Sequence, residues 1–182
     1  VELWYKCRRS ATATRLREKP WPMKRKGKNM TVRVSINGFG RIGRLVLRAI
    51  IESRRNDIQV VGINDLGSVE ASAHLLKYDS VHGTLTSDIT IDDDSMDVGQ
   101  GPIKVTAERD PAKLPWKDLA VDVALECTGL FTNREAAAQH LTAGAGKVLV
   151  SAPTTEADMT IVFGVNHDQL TPAHTVVSNA SC

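Results

Sequence analysis

Residues 32–44 read Val32-Arg33-Val34-Ser35-Ile36-Asn37-Gly38-Phe39-Gly40-Arg41-Ile42-Gly43-Arg44, in which a run of β-branched residues stops at a glycine turn. Beyond the turn, apolar residues recur with the spacing of one helix face, at Ile42, Leu45, Val46, Ala49 and Ile50. The stretch therefore predicts a strand, a tight turn and a helix. In that context the spacing Gly-x-Gly-x-x-Gly is typical of a loop that binds a dinucleotide.

Each of the three glycines has its own physical role in such a loop. Gly38 would allow the turn, Gly40 would let a pyrophosphate approach the backbone, and Gly43 would let the helix pack closely on the strand. The first free N–H groups of the helix would point at the phosphates, where the helix dipole favours negative charge. Three glycines at this spacing also arise by chance, so a second feature is needed.

Asp65 supplies that second feature. It lies 22 positions after Gly43, at the end of the apolar run 58–63. An acidic residue about 20 positions on, at the tip of the second strand, accepts hydrogen bonds from the ribose hydroxyls of NAD. Its charge would also repel the 2′-phosphate of NADP. The alternative is that Asp65 is a helix cap or a turn residue. We expect the ribose role, with NAD as the cofactor.

The composition is that of an ordinary globular protein. The 182 residues are 42% hydrophobic and 24% charged, and no apolar run approaches the roughly 18 residues of a membrane-spanning helix. The three cysteines, Cys7, Cys127 and Cys182, are odd in number and widely spaced, which indicates neither a disulfide framework nor a zinc site. We expect no metal, no membrane partner and a cytoplasmic location.

The charge is unevenly distributed along the chain. Residues 1–29 hold ten Lys/Arg and two acidic residues, whereas the whole chain has a formal net charge of +2. Such a segment is typical of a nucleic-acid-binding arm or of an organellar transit peptide. The alternative is that Met30 is the natural start and that residues 1–29 are upstream sequence. We expect 1–29 to be a disordered basic extension that does not bind nucleic acid, and 30–182 to be one NAD-binding domain.

From Met30 onward, strand and helix patterns alternate as in βαβ units. The predicted elements are strands at 32–37, 58–63, 121–129 (with a small-residue tip) and 147–153 (ended by proline) and helices at 41–54, 69–78 and 133–143. Two alternating runs, 84–91 and 101–106, predict an antiparallel excursion, and the runs 160–165 and 175–177 predict further strands. The residues Asp92-Asp93-Asp94 lack the ligand spacing of a calcium loop, so we expect a solvated turn there.

The predicted fold class is α/β, a Rossmann-type doubly wound, mostly parallel sheet with a small antiparallel excursion. In such sheets the ligand crevice lies outside the carboxyl ends of the strands. The strand tips that would meet there are Gly38, Asp65, Thr128-Gly129 and Ser151-Ala152.

Six motifs between Met30 and Cys182 carry a family resemblance. They are Asn37-Gly38-Phe39-Gly40-Arg41-Ile42-Gly43-Arg44, Asn64-Asp65-Leu66, His74-Leu75-Leu76-Lys77-Tyr78-Asp79-Ser80, Glu108-Arg109-Asp110-Pro111, Thr128-Gly129-Leu130-Phe131 and Ser178-Asn179-Ala180-Ser181-Cys182. In this order and spacing they resemble the glyceraldehyde-3-phosphate dehydrogenases of bacterial type. The erythrose-4-phosphate dehydrogenases are a similar sister family, although residues 65–66 and 151–153 look more like the former.

The resemblance implies a set of NAD contacts. Arg41 and Ile42 would lie at the pyrophosphate, Asp65 at the ribose, and Arg109 and Phe131 on the adenine side. The full implied set is Asn37, Gly38, Phe39, Gly40, Arg41, Ile42, Asp65, Arg109, Thr128, Gly129, Phe131 and Ser151. One departure is Cys127, where the family usually has serine, and we expect it to be a packing residue.

The resemblance also implies the chemistry. Cys182 would be the nucleophile that attacks the aldehyde of glyceraldehyde 3-phosphate, and Ser181 would help to hold the substrate. The thiohemiacetal would be oxidised to a thioester by hydride transfer to NAD, and inorganic phosphate would release the acyl phosphate. The complete enzyme is expected to be a homotetramer.

The chain as given stops at Cys182. The family's histidine base and substrate domain would follow this residue, so we expect the 182-residue chain to be inactive by itself. The alternative function is that of a stand-alone dinucleotide-binding module with a basic nucleic-acid-binding arm.

Overall fold

The computed structural model describes residues 31–181. The predicted extension over 1–29 and the predicted nucleophile Cys182 lie outside the described residues, and the division into an extension and one domain stays a prediction.

Eleven strands and four α-helices are present in residues 31–181. The strands are β1 Val32–Asn37, β2 Ile58–Asn64, β3 Tyr78–Asp79, β4 Gly83–Thr84, β5 Thr90–Asp92, β6 Ser95–Asp97, β7 Pro102–Thr106, β8 Val123–Glu126, β9 Lys147–Val150, β10 Met159–Thr160 and β11 Val176–Ser178. The helices are α1 Arg41–Glu52, α2 Val69–Lys77, α3 Arg134–Ala137 and α4 Gln139–Thr142. Short 3-10 turns occur at Pro111–Lys113 and His167–Gln169.

Nine strands form one sheet in the order β10-β11-β9-β8-β1-β2-β7-β6-β5. The pairs from β10 to β7 are parallel, whereas β6 pairs antiparallel with both β7 and β5. From the central β1 the chain runs to β2 and β7 on one side and then to β8, β9 and β11 on the other. The strand order therefore reverses between β1 and β8, and the predicted Rossmann-type, mostly parallel sheet is confirmed. Such a reversal is where α/β sheets bind ligands.

The antiparallel excursion is confirmed, but its first strand was predicted in the wrong place. Only Thr90 and Ile91 of the run 84–91 join the large sheet, and the strand Ser95–Asp97 was missed. Thr84 instead pairs with Tyr78 in a separate two-stranded sheet. The predicted solvated turn is present as the hairpin turn between β5 and β6, where Asp94 forms an ion pair with Lys104.

Two other predicted elements differ from the structure. The predicted helix 133–143 is divided into α3 and α4 at Ala138, which keeps right-handed helical dihedrals. The predicted strand 160–165 was wrong beyond Thr160, because a local turn competes with sheet pairing. The Asn166 side chain accepts from Val162 N at 2.8 Å and donates to Thr160 O at 3.0 Å, and Gly164 has φ +89°.

Three apolar clusters form the core. In the largest, α1 and α2 cover β1, β2, β6 and β7, with the buried side chains Ile36, Leu47, Ile63, Leu76, Met96 and Ile103 among its members. A second cluster surrounds Trp116 and includes Val61, Ala124 and Ala143, and a third joins Ala137 to β9 and β11. Burial of these surfaces holds the strand tips in fixed positions. Among residues 31–181, no helix is long and apolar enough to cross a membrane.

Candidate functional site

The loop between β1 and α1 fits against the loop after β8. Gly38 has φ +88°, and a Cβ built on it would lie 2.7 Å from the backbone nitrogen of Thr128. Its own N–H donates to the carbonyl of Asn64 at 2.8 Å. A side chain at Gly38 would therefore be excluded both by the left-handed backbone and by the neighbouring loop.

The other two glycines of the motif differ sharply from one another. A Cβ at Gly43 would lie 2.2 Å from the carbonyl oxygen of Gly38, so this glycine lets α1 pack on the preceding strand. A Cβ at Gly40 would meet nothing within 4 Å. No side chain in the described residues caps the start of α1 at Gly40, and Arg41 and Ile42 are exposed there. The backbone at Gly40 is thus open to a ligand.

Asp65 ties the tip of β2 to the glycine loop. Its Oδ2 accepts a hydrogen bond from the N–H of Phe39 at 2.7 Å, and its Oδ1 accepts one from the N–H of Gly67 at 2.9 Å. The bond to Gly67 is the contact expected if Asp65 were a turn residue. Each carboxylate oxygen has a second lone pair, so both contacts leave acceptor capacity for a ribose hydroxyl. The ribose role stays a prediction.

A row of polar side chains crosses the sheet at this level. The strand register places Asn37 of β1 beside Asn64 of β2 and beside Glu126 of β8, and it places Asn64 beside Thr106 of β7. The side chains bond in the same order. Asn37 donates to Glu126 at 2.6 Å, Asn64 donates to Asn37 at 2.7 Å, and Thr106 donates to Asn64 at 2.9 Å. We call these four residues the polar row, and the strand ends beside it the crevice end of the sheet.

Glu126 is the member of the polar row with the most partners. It is 1% exposed and accepts four hydrogen bonds. Its Oε1 accepts from the backbone N–H of Thr128 at 2.7 Å and from the hydroxyl of the same residue. Its Oε2 accepts from Asn37 and from Nε2 of His140 at 2.9 Å. One carboxylate therefore joins the loops after β1 and β8.

The network continues away from the crevice end. His140 is fully buried on α4, and the indole N–H of Trp116 donates to its Nδ1 at 3.0 Å. The ring of Phe131 meets His140 edge-on with centroids 6.4 Å apart. Phe131, predicted on the adenine side, is therefore packed against this network by one edge.

The predicted site residues fall into two groups. The side chains of Asn37 and Phe39 are 2% exposed, one in the polar row and one in the apolar core. Gly38 is buried as well, and the remaining predicted cofactor residues are exposed or half-buried, namely Gly40, Arg41, Ile42, Asp65, Arg109, Thr128, Gly129, Phe131 and Ser151. Ser181 follows β11 and is exposed. Cys182 lies outside the described residues.

Cys127 agrees with its predicted packing role. The side chain packs against the largest apolar cluster. Burial raises the pKa of the Cys127 thiol to about 11, while a hydrogen bond from Ser151 acts in the opposite direction. A thiol of that acidity is almost entirely protonated at neutral pH and is a poor nucleophile.

Sequence reasoning missed three buried residues of the network, Asn64, Glu126 and His140, as functional candidates. The only signal for Glu126 and Asn64 was a polar residue at the end of an apolar strand. That signal predicts a place at the strand end but does not identify a hydrogen-bond partner. His140 lies in the short helix α4, directly after three alanines, and had no signal. In the described part of the chain, no group of His, Cys, Asp or Glu could hold a metal ion.

Comparisons with known proteins point to one family. Residues 32–134 match the family described as glyceraldehyde 3-phosphate dehydrogenase, NAD binding domain. The glyceraldehyde-3-phosphate dehydrogenase of Xanthobacter flavus is 65% identical over 153 residues, which are 84% of this chain and 46% of the relative. Those of Pseudomonas aeruginosa (56% over 154 residues, 84% and 46%) and Thermotoga maritima (56% over 150 residues, 82% and 45%) are also similar.

The family match covers more than half of the chain. This chain belongs to the glyceraldehyde-3-phosphate dehydrogenase family through its NAD-binding domain, which confirms the predicted family and the predicted cofactor. The chain spans about half the length of the curated relatives it matches.

Proposed function

We propose that this chain supplies the NAD-binding part of a phosphorylating glyceraldehyde-3-phosphate dehydrogenase, with the cofactor held at the crevice end between β1 and β8. The observation that carries the proposal is the open backbone at Gly40, at the reversal of strand order. Gly38 and Gly43 are required by contacts within the protein, whereas nothing in the described residues lies within 4 Å of a Cβ at Gly40. Glycine at that position is explained by a ligand that needs the space.

The residues at the crevice end fit a dinucleotide. The loop from Gly38 to Arg41 and the start of α1 would hold the pyrophosphate, and Asp65 would accept from the ribose hydroxyls. Arg109 and Phe131 would lie on the adenine side. Thr128, Gly129 and Ser151 would line the rest of the cofactor path, and Ile42 would cover the pyrophosphate.

The residues after β11 would supply the nucleophile. Asn179 N donates to the carbonyl of Val150 at 2.9 Å, which brings this segment to the crevice end. Ala180 and Ser181 have φ of 52° and 147°. Non-glycine residues with positive φ are strained, and such strain concentrates at functional sites. We propose that Cys182, the next residue, attacks the aldehyde carbon of glyceraldehyde 3-phosphate and that Ser181 helps to hold this substrate.

NAD, when bound, supplies a hydride acceptor. The chain's own part is to hold the substrate beside it through Ser181 and as a thiohemiacetal on Cys182. After oxidation of this adduct to a thioester, inorganic phosphate would take the acyl group as an acyl phosphate and free the Cys182 thiol. The names of the relatives favour glyceraldehyde 3-phosphate over erythrose 4-phosphate as the substrate. A homotetramer and a cytoplasmic location belong to the same proposal.

The test measures NADH formation by a purified protein that contains this chain and has the full length of its relatives. We expect NADH from glyceraldehyde 3-phosphate only when inorganic phosphate is present, and we expect none from the Cys182→Ser variant. Erythrose 4-phosphate at the same concentration is the competing substrate. Faster turnover of erythrose 4-phosphate, or activity that survives Cys182→Ser, would contradict the proposal.

A further inference from the structure

We propose that Glu126 is a positioning residue for the cofactor: its buried carboxylate holds the loops after β1 and β8 in the geometry that binds NAD. This inference rests on the proposed binding of NAD at the crevice end. Glu126 itself is 1% exposed, so it acts through the groups that it binds rather than by touching a ligand.

The direction of every hydrogen bond on the β2 side of Glu126 is determined by the backbone. The N–H of Glu108, which can only donate, bonds to Oδ1 of Asn64 at 2.8 Å, and Nδ2 of Asn64 donates to the carbonyl of Glu108 at 2.8 Å. The Asn64 amide therefore cannot flip. Because its Nδ2 also donates to Oδ1 of Asn37, the Asn37 amide must present its own Nδ2 to Glu126.

The opposite side of Glu126 is determined by an indole. Trp116 Nε1 can only donate, so Nδ1 of His140 must accept and carries no proton. The ring nitrogen that faces Glu126 must then be the protonated one, and it donates to Oε2. His140 is held as the neutral tautomer with its proton on Nε2.

The loop after β8 supplies the remaining two donors. The backbone N–H of Thr128 can only donate, and its hydroxyl accepts from the N–H of Leu130 at 3.0 Å while it donates to Glu126. Three of the four groups around the carboxyl group, Nδ2 of Asn37, Nε2 of His140 and the N–H of Thr128, are therefore donors by necessity, and the Thr128 hydroxyl completes the set. The arrangement around the buried carboxyl group has one geometry, since neither the two amides nor the imidazole can reverse.

The fixed Thr128 determines where the glycine loop lies. The backbone nitrogen of Thr128 would be only 2.7 Å from a Cβ on Gly38, so the two loops are in direct contact. A shift of Thr128 would move the loop that contains Gly38 and Gly40. Asn37, the residue before Gly38, is bonded to the same carboxylate. Two separate contacts thus transmit the position of Glu126 to the proposed pyrophosphate loop.

Glu126→Gln is the most specific substitution. It keeps the shape of the side chain and replaces one acceptor oxygen by an NH₂ group, which can only donate. In place of Oε2 the new NH₂ group would face the donors Asn37 and His140, and in place of Oε1 it would face the N–H of Thr128. The matched control is Asp158→Asn. Asp158 accepts from Arg134, twice from Thr175 and from the N–H of Val176, at the amino ends of β10 and β11, away from the crevice end.

NAD binding should be measured by calorimetry at a temperature where circular dichroism shows both variants fully folded. We expect Glu126→Gln to weaken NAD binding at least about tenfold. Asp158→Asn should stay within about twofold of the wild type, as distant sites do. Equal losses in both variants, or no loss in Glu126→Gln, would overturn the positioning role. Absence of NAD binding by the wild type would instead overturn the proposed function.

If Glu126→Gln does not fold, nuclear magnetic resonance of the wild-type protein tests the same inference. Nitrogen chemical shifts should show His140 neutral with its proton on Nε2, and the Thr128 amide should exchange slowly before NAD is added, because it is bonded to a buried carboxylate. The amide of Phe163, a residue that is 84% exposed, is the fast-exchanging reference. A proton on Nδ1 of His140, or fast exchange at Thr128, would overturn the inference.

Discussion

Two carboxylates at opposite ends of the sheet, Glu126 and Asp158, each accept four hydrogen bonds from the protein. Asp158 is 17% exposed at its side chain and is paired with the Arg134 guanidinium at 2.8 Å. Glu126 is buried, and its four donors are neutral groups.

The difference shows how the same chemistry serves two purposes. Asp158 joins the amino ends of two strands near the sheet edge, where its side chain is partly exposed and the Arg134 guanidinium compensates its charge. Glu126 joins the loops that flank the reversal of strand order, where an amide, an imidazole, a backbone N–H and a hydroxyl contact its carboxyl oxygens. A carboxylate held by neutral donors needs accurate geometry, because each donor that moves leaves a buried charge less compensated.

The largest expected effect comes from removing each carboxylate. We expect Glu126→Ala to lower the free energy of unfolding by about 4 kcal/mol, since several buried donors lose their acceptor at once. Asp158→Ala should lower it by about 2 kcal/mol, because water can reach the donors that it leaves. Urea denaturation of both variants measures the difference, and equal losses would remove the contrast between the two ends.

A second substitution disturbs the contact between the two loops at the crevice end without changing any charge there. Gly38→Ala places a Cβ against Thr128 at φ +88°, and we expect it to lower the free energy of unfolding by about 3 kcal/mol. The matched control is Gly40→Ala, where the Cβ meets nothing within 4 Å and φ is −70°. The control should change stability by less than about 0.5 kcal/mol and should still weaken NAD binding. Unchanged NAD binding by Gly40→Ala would contradict the pyrophosphate role of this loop.

Asp65 is a third carboxylate, and it differs from the other two in having acceptor capacity left over. We expect NAD to bind at least about tenfold more tightly than NADP, a difference of about 1.4 kcal/mol, because the Asp65 carboxylate would face the ribose 2′ position. Asp65→Asn should reduce that preference. Calorimetric titration with both nucleotides is the measurement, and equal affinity of the wild type for NADP would rule out the ribose role.

The smallest effect concerns pH and Asp158. The backbone N–H of Val176, followed by Arg134 and Thr175, holds the pKa of Asp158 well below its usual range. A pKa lower in the folded state means that the stabilisation is complete above the unfolded pKa of about 3.9 and is lost as the pH falls below it. Asp79, whose pKa is lowered by the N–H groups of His82 and Val81, acts in the same direction.

We therefore expect the unfolding free energy to decrease as the pH falls from about 5 to 3, and to decrease less steeply in Asp158→Asn by about 1 kcal/mol over that interval. Thermal unfolding across this range tests the difference. A variant whose stability depends on pH as strongly as that of the wild type would show that Asp158 does not contribute, and that the effect comes from Asp79 or from other carboxyl groups.

The local elements of the fold could be predicted well. The glycine spacing, the apolar face of α1 and the acidic residue after β2 are all short-range features, and strand β1 has the predicted bounds while α1 ends two residues early. The predicted strand 160–165 failed because Asn166 and Gly164 turn the chain back on itself, although the run is as apolar as a true strand. Val162, Phe163 and Val165 are consequently 47%, 84% and 76% exposed.

The sequence by itself determined the family, the cofactor class and the alternation of strands and helices, because these depend on spacing along the chain. Only the tertiary structure decided that Glu126, Asn37, Asn64 and Thr106 stand side by side, since strand register joins residues that are up to 89 positions apart. It also decided which nitrogen of His140 carries the proton, because that depends on Trp116 approaching from another element. Hydrogen bonding between distant strands leaves no periodicity in the sequence, so only the folded chain reveals it.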